Sequence, residues 1–412
     1  RLFCTEMHRY ASLFFLFSGH GLGFHFFPVT CCPSWITGMP SDRYWRSDEL
    51  ALLEQCDFFA GDKEDFTASV QNPSCLWQGA HRQPTPFVSV VITTYKRPQW
   101  LKVALDSVLA QEGFDDFEIV VVDNECAENF QETETSALMR TYNDEKIIYY
   151  RNQIGTDNRT NTAIACAKTP YICVLHDDDF LAPQHLRVMV GALKTHPEIS
   201  YLSCKRQPFS SRSYDELLAA CAASLPGSFT LRSYTCVSAS IGCYPDWLGA
   251  LIHKENFVNI GGMSGKVSLG TGIGDAIMTV RYMDRYAEIV QCDAGMPLYY
   301  YRLSEKQDSA LGCMQWANAY AVLLMLYKYI NRKYHSRLLP LWNFLSEITV
   351  LGNATGLSLQ YANVSDFDLD SFRQMSRMTI RNGNAFYCCM ARKIIQILHW
   401  YYGEGAMSAF RN

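Results

Sequence analysis

The 412-residue chain lacks several features that would settle its class at once. It holds 16 cysteines but no C-x-x-C pair, which removes zinc-ribbon and dithiol redox chemistry. Several cysteines sit inside apolar runs (Cys166, Cys173, Cys236), so reduced, buried thiols of a cytosolic protein are expected. Lys and Arg number 36 against 41 Asp and Glu, a net charge of -5, and no basic block stands out, so nucleic acid is not an expected partner. Long clean apolar runs are also missing. Tyr10 to Val29 is aromatic but broken by Gly19, His20, Gly21, Gly23 and His25, and its longest unbroken piece, Ser12 to Phe17, is far too short to span a bilayer. No small-residue cleavage site precedes Cys31-Cys32-Pro33, and Met39 is a plausible start. Residues 1–85 therefore read as a poorly specified N-terminal extension.

Hydrophobic residues make up 48% and charged residues 19%, enough to bury a sizeable core. The chain is organised around Pro170-Tyr-Ile-Cys-Val-Leu-His-Asp-Asp-Asp-Phe180. An apolar, partly β-branched run of this kind makes a strand buried on both faces, and it passes abruptly into Asp177, Asp178 and Asp179. Three carboxylates at a strand's C-terminal end repel one another unless water, donors or a cation neutralises them. That end is also where ligands bind in an open α/β sheet. A hard divalent cation carrying a diphosphate would satisfy the triplet; a solvated acidic loop is the plainer alternative.

The neighbouring pattern alternates strand and helix. Phe87 to Thr94 reads as a buried strand, Tyr95-Lys-Arg-Pro98 as a turn with Pro98 opening a helix to about Gln111, and Phe117 to Asp123 as a second strand. A polar helix to about Tyr142, a strand from Lys146 to Arg151, a helix from Asn158 to Ala167 and the strand from Tyr171 to Leu175 follow. A helix opened by Pro183 and ending near His196-Pro197 comes next. Four such alternations imply a parallel sheet with right-handed crossovers. Ile199 to Cys204 adds a strand, Gln207 to Ser240 is a less regular insert with a helix from Tyr214 to Ser224, and Gly249 to Gly262 runs from strand to short helix to a Gly-Gly stop. Gly270-Thr-Gly-Ile-Gly-Asp275 is a flexible loop carrying one acid before a helix. From Cys313 onward the pattern is helical. Its last helix, with Tyr387, Met390, Ile394, Leu398 and Tyr401 on one face, suits packing on the sheet domain better than lying on a membrane.

The order of a strand ending Thr-Thr-Tyr-Lys-Arg-Pro, a strand ending Val-Val-Asp-Asn, Asn-x-x-Gly before a helix, and a strand ending in an Asp cluster resembles family 2 of the nucleotide-sugar glycosyltransferases. The resemblance covers roughly Phe87 to Ser309. It implies an α/β, GT-A fold (Rossmann-like, mostly parallel sheet flanked by helices) with a C-terminal helical region. The implied organisation is an extension at 1–85, a GT-A domain at 86–310 with a nucleotide-sugar half at 86–205 and an acceptor half at 206–310, and a helical region at 311–412. By resemblance, Thr93 and Tyr95 cradle the nucleotide, Asp123 hydrogen-bonds the base, usually uracil, and Asn161 faces the diphosphate, with Arg159 or Thr160 beside it. A carboxylate capping the next helix is the alternative for Asp123. Asp177 is implied toward ribose and Asp179 toward Mn²⁺ or Mg²⁺; Asp178 fits either register. Asp275 corresponds to the family's general base, with Gly274 where a Glu is common. Arg281 matches a family Arg, and Ser304 stands where a third metal ligand, His, is often found.

The implied activity is inverting transfer of a sugar from a nucleotide-sugar donor, UDP-sugars being the first expectation, to a hydroxyl of a glycan or lipid-linked oligosaccharide acceptor in cell-surface polysaccharide synthesis. A cytoplasmic site with peripheral contact at the inner face of the cell membrane would accompany it. Three other readings make different demands on the sequence. A sugar-nucleotide nucleotidyltransferase should show glycines after the first strand, where Thr93-Thr-Tyr-Lys-Arg-Pro98 has none. An inactive carbohydrate-binding scaffold should have lost its acids. A haloacid-dehalogenase-type phosphatase carries Asp-x-Asp on its first strand rather than its fourth.

Overall fold

The computed structural model divides the chain into two compact units, Arg1–Leu52 and Leu53–Asn412. It describes residues 60–70, 74–125, 131–152, 159–209, 214–222, 228–239, 242, 244–263 and 274–303, with isolated positions at 323, 326–327, 329–334 and 346, all in the second unit. The expectations for the last helix and for Ser304 fall outside the described residues.

Four parallel strands form the centre: β2 (Val88–Thr94), β3 (Phe117–Asp123), β4 (Ile147–Asn152) and β5 (Tyr171–His176), in the order β4-β3-β2-β5. Every residue of β3 and all but Thr93 of β2 is buried, as continuous Val/Ile runs require in a sheet covered on both faces. The covering helices follow their strands: α2 (Pro98–Leu109), α3 (Glu134–Arg140), α4 (Arg159–Cys166) and α5 (His185–Thr195). In α2, Leu101, Ala104, Leu105 and Val108 are buried, the face anticipated from their spacing, and Pro98 occupies the first turn. The strand order reverses between β2 and β5, which opens a crevice at their C-terminal ends.

Beyond β5 the sheet becomes mixed. The strand β10 (Leu251–His253) runs antiparallel to both β5 and β7 (Tyr201–Cys204), and β11 (Ile289–Asp293) and β9 (Thr230–Tyr234) complete that side. A second sheet of three short strands joins β6 (Phe180–Leu181), β12 (Tyr299–Arg302) and β8 (Arg206–Phe209). Tyr299 lies opposite Leu181 and Tyr300 opposite Phe180, whose rings stack at 4.6 Å. This small sheet folds the Tyr299–Arg302 segment back over the Asp triplet.

Two elements lie within the stretch expected to be an unspecified extension: α1 (Lys63–Ser69) and β1 (Ser74–Gln78). The strand pairs antiparallel with β4 at the sheet edge, and α1 starts at a capping box in which Asp62 accepts from the Asp65 amide at 2.9 Å. The sheet thus takes in part of the stretch expected to be an extension. Ser74–Gln78 gives little warning, because it is short and only partly buried on either face.

Candidate active site

The turn after β5 explains how three adjacent carboxylates coexist. The Asp179 amide donates to the His176 carbonyl at 3.2 Å, which sends the three side chains in different directions. Asp177 accepts from Thr94 Oγ1 at 2.8 Å, joining the ends of β5 and β2. Asp178 and Asp177 share the Arg97 guanidinium, with Nη1 at 3.4 and 3.5 Å. Asp179 accepts from the Tyr299 hydroxyl and, at 2.8 Å, from the Arg302 amide, while Arg302 Nε donates to the Asp178 carbonyl at 2.8 Å. All three acids are buried, and burial is the first cause that pushes Asp177 up to about 6 and Asp179 up to about 7.

Ligand atoms of His176, Asp178 and Asp179 lie within 4.8 Å of one another, so these three residues could share one ion. The donor chemistry fits a divalent cation: two carboxylates suit Mg²⁺ or Mn²⁺, and the imidazole favours Mn²⁺ of the two. Asp177, tied to Thr94, stands outside the trio. Reasoning from the Asp triplet alone passed over His176, although it directly precedes the acids. Its ring meets Trp247 edge-on at 6.1 Å, and its side chain is 40% exposed.

The other expected residues spread along the same edge. Thr93 is half-buried, beside His176 in the pairing of β2 with β5. Tyr95 is exposed, with the Arg159 guanidinium 5.3 Å above its ring, which brings Arg159 to this loop. Asp123 is fully buried; it accepts from Tyr149 Oη at 2.7 Å and from the Glu125 amide at 2.9 Å, and burial is the chief cause holding its carboxyl above the ordinary range. Among the described residues the helix that follows, α3, is capped by Thr133 and not by Asp123. Asn161 departs from expectation. Its amide donates to Ser69 Oγ at 2.8 Å and the Met263 carbonyl at 3.0 Å, and its carbonyl accepts from the Met263 amide at 2.8 Å. The side chain thus clips the Gly261–Gly262 turn to α4 rather than projecting toward a diphosphate. Arg281, also buried, donates to the Ala60 carbonyl at 2.8 Å.

Asp275 sits in the first turn of α9 (Gly274–Tyr286) and accepts from the Ala276 amide at 2.7 Å. Burial, then the negative charge of Asp246, pushes its carboxyl up to about 6, while Arg206 opposes them. Asp246 was not anticipated; it pairs with Arg206 at 2.5 Å and its charge is felt by Tyr299, the phenol bonded to Asp179. Asp246 thus connects electrostatically to both Asp275 and the triplet's partner. Nothing in the irregular stretch around Tyr244-Pro-Asp-Trp247 marked it in advance.

The fold and this acid-lined strand edge define an α/β domain with a mostly parallel sheet flanked by helices. Residues 89–237 match the sequence model of glycosyl transferase family 2. Similar curated proteins include an uncharacterized glycosyltransferase of Methanocaldococcus jannaschii, 30% identical over 122 residues, which are 28% of this chain and 40% of that one. The putative colanic acid biosynthesis glycosyl transferase WcaA of Escherichia coli is 31% identical over 108 residues, 26% of this chain and 37% of WcaA. The matched segment therefore spans well under half of these relatives. Among solved structures, S. aureus TarS in complex with UDP-GlcNAc superposes with a TM-score of 0.45 at 14% identity, covering 73% of this chain and 93% of that one. Among the described residues, no helix is long and apolar enough to cross a membrane.

Proposed function

We propose that the chain is an inverting glycosyltransferase that moves a sugar from a nucleoside-diphosphate sugar, UDP-sugars first, to a hydroxyl of a glycan or lipid-linked oligosaccharide. The reading is supported above all by three buried acids at one strand end, held by Thr94, Arg97, Tyr299 and Arg302, with Asp275 coupled electrostatically to Asp246, whose charge also reaches Tyr299. Asp123 and Tyr95 would flank the nucleoside and Asp177 would accept from ribose. His176, Asp178 and Asp179 would hold Mn²⁺ or Mg²⁺, which when bound offsets charge on the departing diphosphate. Asp275 takes the acceptor hydroxyl's proton as that oxygen bonds to the anomeric carbon. The bond from that carbon to the diphosphate breaks, its electron pair leaves with the nucleoside diphosphate, and configuration inverts. The named role of WcaA in colanic acid biosynthesis supports a role in polysaccharide synthesis, which we place at the cytoplasmic side in peripheral contact with the membrane.

The test is a donor screen. Purified protein with Mn²⁺ is offered UDP-, GDP- and dTDP-sugars with candidate acceptors, and released nucleoside diphosphate is measured. Turnover with one donor class, abolished by chelation, is expected; no release with any donor and acceptor would overturn the proposal.

A further inference from the structure

The segment Tyr95-Lys-Arg-Pro98 reads as a mere turn into α2, yet it delivers a cation to the triplet. Lys96 adopts φ 54°, a left-handed conformation unusual for a non-glycine residue, and Arg97 directly follows it as the residue flanking α2. The Arg97 side chain makes no capping bond and instead reaches the oxygens of Asp177 and Asp178. Both separations, 3.5 and 3.4 Å, are long beside the roughly 2.7–2.9 Å of a well-seated charged hydrogen bond. The guanidinium lies between two carboxylates without a close bond to either, and its side chain is 34% exposed. It also lies 5.2 Å above the Trp100 ring, which Arg302 meets at 5.7 Å. Loose contacts, partial exposure and an aromatic platform describe a group that is held but can be displaced.

We propose that Arg97 is a resident counter-ion of the Asp triplet, competing with the divalent cation until a diphosphate draws it away. The proposal rests on the reading of His176, Asp178 and Asp179 as the cation site. Asp178 belongs both to that trio and to the Arg97 pair, so a metal ion and the guanidinium would crowd the same carboxylate and repel each other. A diphosphate supplies phosphate oxygens, which guanidinium forks bind well, so Arg97 gains a new partner when metal and nucleotide arrive together. Arg97 is therefore a positioning residue. It weakens metal binding alone and couples metal binding to nucleotide binding.

The experiment follows free Mn²⁺ by electron paramagnetic resonance during titration of the full chain, alone and with UDP or GDP present. Wild type is compared with Arg97→Met, which keeps the aliphatic stem over Trp100, and with Arg97→Lys, which keeps the charge. With Mn²⁺ alone, Arg97→Met should bind about tenfold more tightly than wild type, the scale expected on removing the repulsion of one partly exposed cation, and Arg97→Lys should stay near wild type. Nucleotide should tighten Mn²⁺ binding more in wild type than in Arg97→Met. Equal or weaker Mn²⁺ binding by a folded Arg97→Met protein would overturn the role of Arg97 and leave the cation site standing. Absence of Mn²⁺ binding in all three proteins, with and without nucleotide, would remove the site and the counter-ion together.

Discussion

Asp246→Asn should make Asp275 a stronger acid. In the wild-type fold the Asp275 carboxyl is pushed from the ordinary 3.8 to about 6, first by burial and then by the charge of Asp246, against the pull of Arg206. Tyr201 and Tyr244 also sense Asp275 but stay neutral across the working range, because burial holds both phenols well above 10.0. The substitution removes a negative neighbour and also frees Arg206, paired to Asp246 at 2.5 Å, to face Asp275. Both changes favour the ionised base. Like charges several ångströms apart near a protein surface interact by ~2–4 kcal/mol, and the Arg206 pair already cancels a good part of this. The remainder, ~1.4 kcal/mol, is about one pH unit. The assay is kcat/KM against pH at saturating Mn²⁺, so that the triplet stays ionised, with a thermal melt to confirm folding. The acid limb should fall from a midpoint of about 6 in wild type to about 5 in Asp246→Asn. Arg206→Met should move it up by a similar amount. An unmoved limb, or shifts of the same sign in both variants, would refute the electrostatic account of Asp275.

Asp275→Ala should leave donor binding within about threefold of wild type while lowering transfer at least ~10²-fold, the usual contribution of a positioned base, and unchanged transfer would remove Asp275 from that role. Gly262→Ala should cost about 2–4 kcal/mol, read as a lowered midpoint in urea. Gly262 adopts φ 61°, and an added Cβ would meet Asn161 Oδ1 at 2.5 Å and Phe66 at 2.8 Å. Full stability of this variant would contradict the clip between Asn161 and the turn. Metal-free protein should melt at lower temperature as pH rises from about 5 to 7.5. Asp177, Asp179 and Asp275 have folded values of about 6, 7 and 6, above the ordinary 3.8, so in that window the folded chain holds more protons than the unfolded one and loses stability as they leave. Asp179→Asn should flatten this slope, and a slope as steep as wild type would contradict the assignment.

The central sheet was legible because its signals are local and strong. Phe117–Asp123 is a strand over the span its apolar run marks, and the faces of α2 follow from period alone. The position of the triplet at a strand end could be read for the same reason. What could not be read is how separate segments meet. Tyr299 and Arg302 reach Asp179 only because β12 pairs with β6, a contact between positions 120 residues apart for Tyr299, and Asp246 meets Arg206 from an irregular loop. Asn161 shows the converse. Its motif points to a ligand, but the Gly261–Gly262 turn brings the Met263 backbone onto its amide, and that long-range packing decides its partners. The short edge strand β1 carries too weak an alternation to announce itself.

The most direct test of the cation-held donor site is calorimetric binding of the UDP-, GDP- and dTDP-sugar panel to wild type and Asp179→Ala, each with Mn²⁺ and with chelator. One donor class should bind wild type only when Mn²⁺ is present and should fail to bind Asp179→Ala at all. Binding that ignores both the metal and the substitution, or no binding under any condition, would contradict the claim that the acids after β5 hold a sugar diphosphate through a cation.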